Sequence, residues 1–521
     1  MSKERERSKT LQWSGFIVGP LLALVAMYFL PTEFRDANTG EMAAFSWAGR
    51  ATLGVMLWMG TWWLTEAIEI SVTAVLPIVL FPILGAASPT EACFPYADPL
   101  VFLYFGGFII ALSMQRWGLG KRIALITLGA VGTSASAMVG GFMLVTAVLS
   151  AFVSNTATTA MMLPIALSVI GLVRQADHPM ETECGNEDAD ATSNRFATCL
   201  LLCLAYSASI GGAMTIIGTP TNAFLVGFVK DKIQSEYQRD IGFFEWTPIG
   251  VTLAIVFLPI LYFVMTHLLF PISKIKMSGG KELVDREREK MGKIKEGEWN
   301  TLAVFFVTVA AWLFRPLLNP IELTIDGTVV RPLANLSDPV IAMVGAMLLF
   351  VIPVNVSRRI FTMDWENAAK LPWGILILFG GGLSLASAMQ ANGVAEFIGS
   401  RTGSFASLPP LVIVILVTAA IVFLTELTSN TATTASLIPV LAALAPGLGI
   451  HPFLLIFPAT LAASCAFMLP VATPPNAIVF GSGEITIPQM ARTGVYLNAI
   501  AVLLITGLTF LVVKPWMGIT P

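Results

Sequence analysis

Ser154-Asn155-Thr156-Ala157-Thr158-Thr159 recurs letter for letter as Ser429-Asn430-Thr431-Ala432-Thr433-Thr434, each time inside a long apolar stretch. Other landmarks keep step with it. Phe105-Gly106-Gly107 runs on to Met114-Gln115 and Gly118, and Gly380-Gly381-Gly382 runs on to Met389-Gln390 and Gly393. Hexapeptides and methionines share one spacing, 429 − 154 = 275 and 389 − 114 = 275. A third pair, Thr219-Pro220-Thr221-Asn222 and Thr473-Pro474-Pro475-Asn476, has the shorter spacing 473 − 219 = 254, because the first copy carries an extra polar loop around Glu181 to Arg195. The chain reads as two homologous halves.

Composition sets the solvent. Of 521 residues, 55% are hydrophobic and only 12% charged, with a mean hydropathy of +0.78. That much apolar surface exceeds what a soluble core hides, but not what lipid accepts. An all-α polytopic membrane protein follows. The net charge of −3 is spread over a few loops and the N-terminus, with no basic face for nucleic acid. Five cysteines, Cys93, Cys184, Cys199, Cys203 and Cys465, show no paired metal spacing and read as packing thiols. Met1 to Thr10 mixes both charges and precedes the apolar run Gly15 to Leu30, which has no small-residue cleavage site and reads as a retained first helix.

A spanning helix takes about 20 apolar residues. That template places eleven, near 14–30, 47–65, 67–85, 98–116, 196–228, 247–271, 299–317, 338–354, 371–390, 452–480 and 493–515. Two further apolar segments, about 121–174 and 408–446, are interrupted by the Ser-Asn-Thr tracts and are expected to be re-entrant helical hairpins. Lys3, Arg5, Arg7 and Lys9, then Arg116, Lys121 and Arg122, then the basic residues from Lys274 to Lys295 fall on one side if the N-terminus is cytoplasmic. Lys230, Lys232 and Arg239 fall on the other. Five spans separate the helix at 47–65 from that at 299–317, so the halves enter the bilayer from opposite faces, an inverted repeat as in secondary transporters. The expected division is a tail and first helix at 1–46, a first repeat at 47–271, a cytoplasmic linker at 272–298 and a second repeat at 299–515.

The chemistry lies in the paired tracts. Ser, Asn and Thr donate to a carboxylate or accept around a cation, and a hairpin tip leaves helix-end N–H and C=O groups unpaired. Anions suit the N-terminal ends and cations the carbonyl ends. Gly218-Thr219-Pro220 and Ala472-Thr473-Pro474 are expected to break their helices, which is tolerated at membrane depth where a cavity is lined. No Lys or Arg lies in these motifs. An anion bound there needs a cation brought along, and sodium is the simplest.

The duplicated Ser-Asn-Thr, together with the run Ser464 to Val479, resembles the divalent anion/sodium symporter family, and the wording of both hexapeptides is closest to its di- and tricarboxylate branch. The resemblance covers the chain from about Trp47 to the C-terminus. It implies a homodimer of eleven-helix protomers, each with a scaffold and a transport part that moves as an elevator. It also implies at least two sodium ions, one at Ser150, Ser154 and Asn155 with the backbone near Gly218, the other at Thr425, Thr428 and Asn430 with the backbone near Ala472. Substrate carboxylates would meet Asn155-Thr156 and Asn430-Thr431, with Thr219, Thr473 and Pro474 closing the chamber. Ser150 and Thr425 are independently paired by the repeat, and the Thr221/Pro475 difference means the halves of the site need not bind equally.

Import of a C4-dicarboxylate such as succinate, fumarate or malate with sodium is the first expectation. Citrate or sulfate symport, sodium-independent exchange, and an anion channel are the alternatives, and no nucleophile–base pair in the apolar segments supports an enzyme. Glu426, whose repeat partner is Ala151, is an intramembrane carboxylate open to a structural or a proton-coupling role. Glu66 and Glu69 read as interfacial at a helix junction. His178, His267 and His451 stand isolated, the acidic run Glu181 to Asp190 reads as a solvated cytoplasmic loop without a calcium-loop pattern, and Lys281 to Glu298 as a surface helix or linker.

Overall fold

The computed structural model describes residues 2–35, 41–131, 134–177, 187–272, 280–325, 328–401 and 408–519. His178, Cys184, the acidic run before Glu187, and Lys274 and Lys276 lie outside the described residues. Within lipid only internally hydrogen-bonded backbone is stable, and these apolar sequences accordingly fold as helices. The first half comprises α1 (Ser2–Phe29), α2 (Trp47–Thr65), α3 (Ile70–Thr73), α4 (Leu76–Leu84), α5 (Pro89–Cys93), α6 (Pro99–Trp117), α7 (Leu119–Val131), α8 (Ala135–Ser150), α9 (Asn155–Asp177), α10 (Glu187–Gly212), α11 (Pro220–Asp231) and α12 (Phe243–Phe263). A linker helix, α13 (Gly280–Met291), leads to α14 (Glu296–Leu318), α15 (Asp338–Val351), α16 (Trp365–Ala368), α17 (Trp373–Ala391), α18 (Val394–Ser400), α19 (Pro410–Leu424), α20 (Asn430–Gly447), α21 (Phe453–Ala463), α22 (Pro474–Phe480), α23 (Ile487–Leu508) and α24 (Lys514–Trp516). Three two-stranded antiparallel ribbons, beginning at Glu33, Leu323 and Pro353, join helix ends.

Among the described residues, eight helical stretches are long and apolar enough to cross a membrane. Every window of apolar sequence contains helix, but two boundaries differ from expectation. The segment at 67–85 is two short helices, α3 and α4, separated at Ala74-Val75, and Glu66 ends α2 before them in the left-handed region (φ 48°). The segment from about 121 begins with α7 as a separate helix, and the tip-forming pair is α8 and α9. Glu66 and Glu69 do sit at a helix junction, at the end of α2 and the start of α3.

The repeat is visible in local geometry. Gly118 and Gly393, one repeat apart, both take the left-handed conformation, at φ +74° and +69°, and turn α6 into α7 and α17 into α18. Only glycine adopts this without cost. Pro164 and Pro439 occupy matching positions inside α9 and α20. Gly106 on α6 seats against the Ala342 backbone of α15, and Gly381 on α17 seats against the Ala74 backbone, so each half packs its glycine face on the other half. A methyl group at either glycine would overlap backbone. Apolar side chains such as Val344, Met347, Leu416 and Leu503 remain exposed, as a lipid-facing surface requires.

Candidate functional site

Ser150 ends α8 and Asn155 begins α9, and the turn between them brings their side chains together. The Ser150 hydroxyl lies 2.6 Å from Asn155 Oδ1 and 2.7 Å from the Ala208 carbonyl on α10. At the other tip the Thr425 hydroxyl lies 2.7 Å from Asn430 Oδ1 and 3.0 Å from the Ala463 carbonyl on α21. Each tip therefore gathers a hydroxyl, an amide oxygen and a backbone oxygen around a single proton. A hydroxyl has one proton to give and two acceptors here, so each cluster is electron-rich and suited to a cation.

Both neighbouring helices end well before Thr-Pro, α10 at Gly212 and α21 at Ala463, and Thr-Pro sets where the next helix starts. Pro220 and Pro474 start α11 and α22, with Thr219 and Thr473 as N-cap residues in extended conformation. The unwound backbone is gathered by asparagine in each half. Asn222 Nδ2 donates to the carbonyls of Gly212 at 3.4 Å and Thr215 at 2.8 Å, and Asn476 Nδ2 to those of Ala466 at 3.1 Å and Leu469 at 3.0 Å. Gly250 and Gly494 seat the same stretches, 213–214 and 467–468, from behind. Helix α9 packs on α22 and α20 on α11, and Thr221 near the start of α11 bonds Ser464 at the end of α21 at 2.8 Å, so each helix that follows a turn rests on the helix that follows the break in the other half. Unpaired N–H groups at such starts favour negative charge.

Not every sequence-selected residue joins the oxygen clusters. Ser150, Asn155, Thr425 and Asn430 do. Gly218 lies against Gly212 and Ala151, where a side chain would overlap both carbonyls, and Gly212 in turn has no room for a methyl beside Asn155. Ser154 instead accepts from Ala157 N–H at 3.3 Å as the cap of α9. Thr428 turns back to the Leu424 carbonyl at 2.9 Å and to Thr433 at 2.6 Å. Ala472 N–H closes a turn onto Leu469. Thr219 and Thr473 are buried, whereas Thr156 and Pro474 are exposed and Thr431 half-exposed.

Several residues that shape the site had no motif to mark them. Tyr104 OH donates to the carbonyls of Ile216 and Thr219, bracing the first break from α6. Tyr206 OH donates to Phe467 O at 2.8 Å, bracing the second from α10. Thr215 donates to Ala151 O and accepts from Gly218 N–H at 3.1 Å. Asn222 and Asn476 stood inside the quoted motifs, and only their fixed position two residues after Thr-Pro hinted at a shared task. Among the described residues no group of His, Cys, Asp and Glu could hold a transition metal.

This is the architecture of a membrane carrier, with paired helix breaks meeting paired turns. The model of the sodium:sulfate symporter transmembrane region matches residues 21–518, and the chain belongs to that family. It is 38% identical to the sodium-dependent dicarboxylate transporter SdcS of Staphylococcus saprophyticus over 99% of this chain and 94% of that one, and 37% identical to SdcS of Staphylococcus aureus with the same coverage. Its fold is like that of the YdaH transporter of Alcanivorax borkumensis (TM-score 0.57, 14% identity, 98% of both chains) and of MtrF of Neisseria gonorrhoeae (TM-score 0.58, 13% identity, 96% of this chain and 94% of that one). The protein is an integral membrane transporter and not an enzyme.

Proposed function

We propose that the protein is a sodium-coupled importer of C4-dicarboxylates, with succinate, fumarate and malate as the expected substrates, working by elevator-type alternating access. The observation that carries this reading is the pair of proton-poor oxygen clusters at Ser150/Asn155 and Thr425/Asn430. Sodium is a co-substrate in this reaction. A weakly bound monovalent cation fits neutral oxygens that give it up again, and the two clusters provide for at least two ions. The dianion is held at the starts of α9, α11 and α20 and by Asn155, Thr156, Thr219, Asn430, Thr431, Thr473 and Pro474, with the bound cations offsetting its charge. Gly218 and Ala472 contribute backbone to the two cation sites, with Ser154 and Thr428 beside them. Sequence likeness to two proteins named as sodium-dependent dicarboxylate transporters supports the substrate class.

The same reading takes the halves as inverted repeats with a cytoplasmic N-terminus, the protomers as a homodimer in the bacterial inner membrane, and α8–α12 and α19–α23 as the moving part. Purified protein in liposomes, given radiolabelled succinate, tests it. Concentrative uptake under an inward sodium gradient, absent in potassium, is the expected result. Uptake only into succinate-preloaded vesicles would make the protein an exchanger instead.

A further inference from the structure

Glu426 has no counterpart in the first half, where Ala151 takes its place. It is buried, and its carboxylate meets donors alone. Oε1 accepts from Phe467 N–H at 2.7 Å, Met468 N–H at 3.0 Å and Asn498 Nδ2 at 2.8 Å, and Oε2 from Met468 N–H at 3.0 Å and Leu469 N–H at 3.2 Å. Three consecutive N–H groups of the unwound stretch thus point at one side chain on the second hairpin tip. A trans peptide sends its carbonyl the opposite way from its N–H, and the carbonyls here point to Asn476 and Tyr206. Glu426 is the residue directly after Thr425, whose hydroxyl touches both Asn430 and Ala463.

We propose that Glu426 is a positioning residue for the second cation site, which fixes the unwound 467–469 backbone to the Thr425–Asn430 tip and so holds that site's oxygens at binding distance before the ion arrives. The first half does the same with neutral groups. There Thr215, one repeat position from Leu469, donates to Ala151 O and accepts from Gly218 N–H. Four donors to a carboxylate, one of them shared by both oxygens, hold more strongly than two neutral bonds, so the second site is the more preorganised and fills first. Preorganisation raises affinity by removing the cost of ordering ligands on binding. The proposal rests on the sodium-coupled reading above.

The test is the sodium dependence of succinate uptake and of sodium-induced thermal stabilisation in the full-length protein, wild type against Glu426→Gln. The amide keeps the shape but turns an NH2 towards backbone N–H groups. Sodium half-saturation is expected to rise about tenfold, from loss of bonds to a charged acceptor, while succinate KM at saturating sodium stays within about twofold. Loss of maximal rate or stability with unshifted sodium half-saturation would overturn the proposal, since mere packing predicts that result. Should Glu426→Gln fail to fold, Asn498→Leu removes a single donor and leaves the backbone clamp. A shift of about two- to threefold is then expected, and no shift would again overturn it. A wild type indifferent to sodium would instead sink the underlying reading, which separates the two failures.

Discussion

The two helix breaks share one plan and differ in what holds them. In the first, Tyr104, Thr215 and Asn222 supply hydroxyl and amide contacts to residues 212–219. In the second, Phe379 stands where Tyr104 would be and Leu469 where Thr215 would be, and the carboxylate of Glu426 takes over from the other side. The tips differ as well. Thr428 gives Thr433 a partner at 2.6 Å, whereas Val153 occupies the matching position and leaves the Thr158 hydroxyl buried without one. Duplicated sequence has preserved the Asn and hydroxyl that meet at each tip, and allowed the supporting contacts to be rebuilt.

Asn155→Ala and Asn430→Ala break the shared part, and both are expected to lower uptake by about 100-fold or more while leaving a folded protein, since on the proposed function each removes a group that binds ion and substrate together. Near-normal uptake by either purified variant would remove that half of the site. Gly212→Ala probes the difference, because only the first half needs glycine there and the second already carries Ala466. A loss of about tenfold in uptake is expected from displacement of Asn155, against no more than about twofold for Ala466→Gly. Val153→Thr would sharpen the comparison by giving Thr158 its missing partner. Thermal stability should rise by about 0.5–1 kcal/mol, and Thr428→Val should lose a similar amount. Equal melting temperatures across the three proteins would show that the hydroxyl pair contributes nothing.

The smallest effect belongs to the linker, whose helix α13 packs on α7 and α9 of the first half. Lys290 and Lys121 beside Glu287 hold its carboxyl below the usual carboxylate range. A lowered carboxyl stabilises above its unfolded-state pKa, and that contribution fades as pH falls through the folded value. Glu287→Gln should therefore cost less than about 0.5 kcal/mol at neutral pH, vanish in high salt, and cost nothing in acid.

The sequence singled out both candidate tips because the hexapeptides are long, identical and improbable as packing tracts. Ser150 and Asn155, and likewise Thr425 and Asn430, sit five residues apart, a distance that local chain geometry closes by itself. Long-range partners were not legible. Glu426 reaches backbone N–H groups 41 to 43 residues on, and Tyr104 meets carbonyls more than 100 residues away. Backbone groups carry no residue identity, so no motif records such contacts. The roles of Ser154 and Thr428 were also invisible, because a hydroxyl next to a turn serves as a cap or a ligand according to a rotation about one bond. The split of α3 from α4 escaped notice for a related reason. Hydropathy sees a continuous apolar run at 67–85 and not the turn at Ala74-Val75 that interrupts it.

The crossed seating of Gly106 on Ala342 and Gly381 on Ala74 bears on how the chain is made. Neither glycine finds its seat among residues of its own half. During synthesis the first half enters the bilayer with the Gly106 groove of α6 lined by lipid, and waits for α15 to displace it. Closure of the α6 face thus depends on a helix of the second half, and a ribosome stalled after α13 would leave Gly106 without its seat.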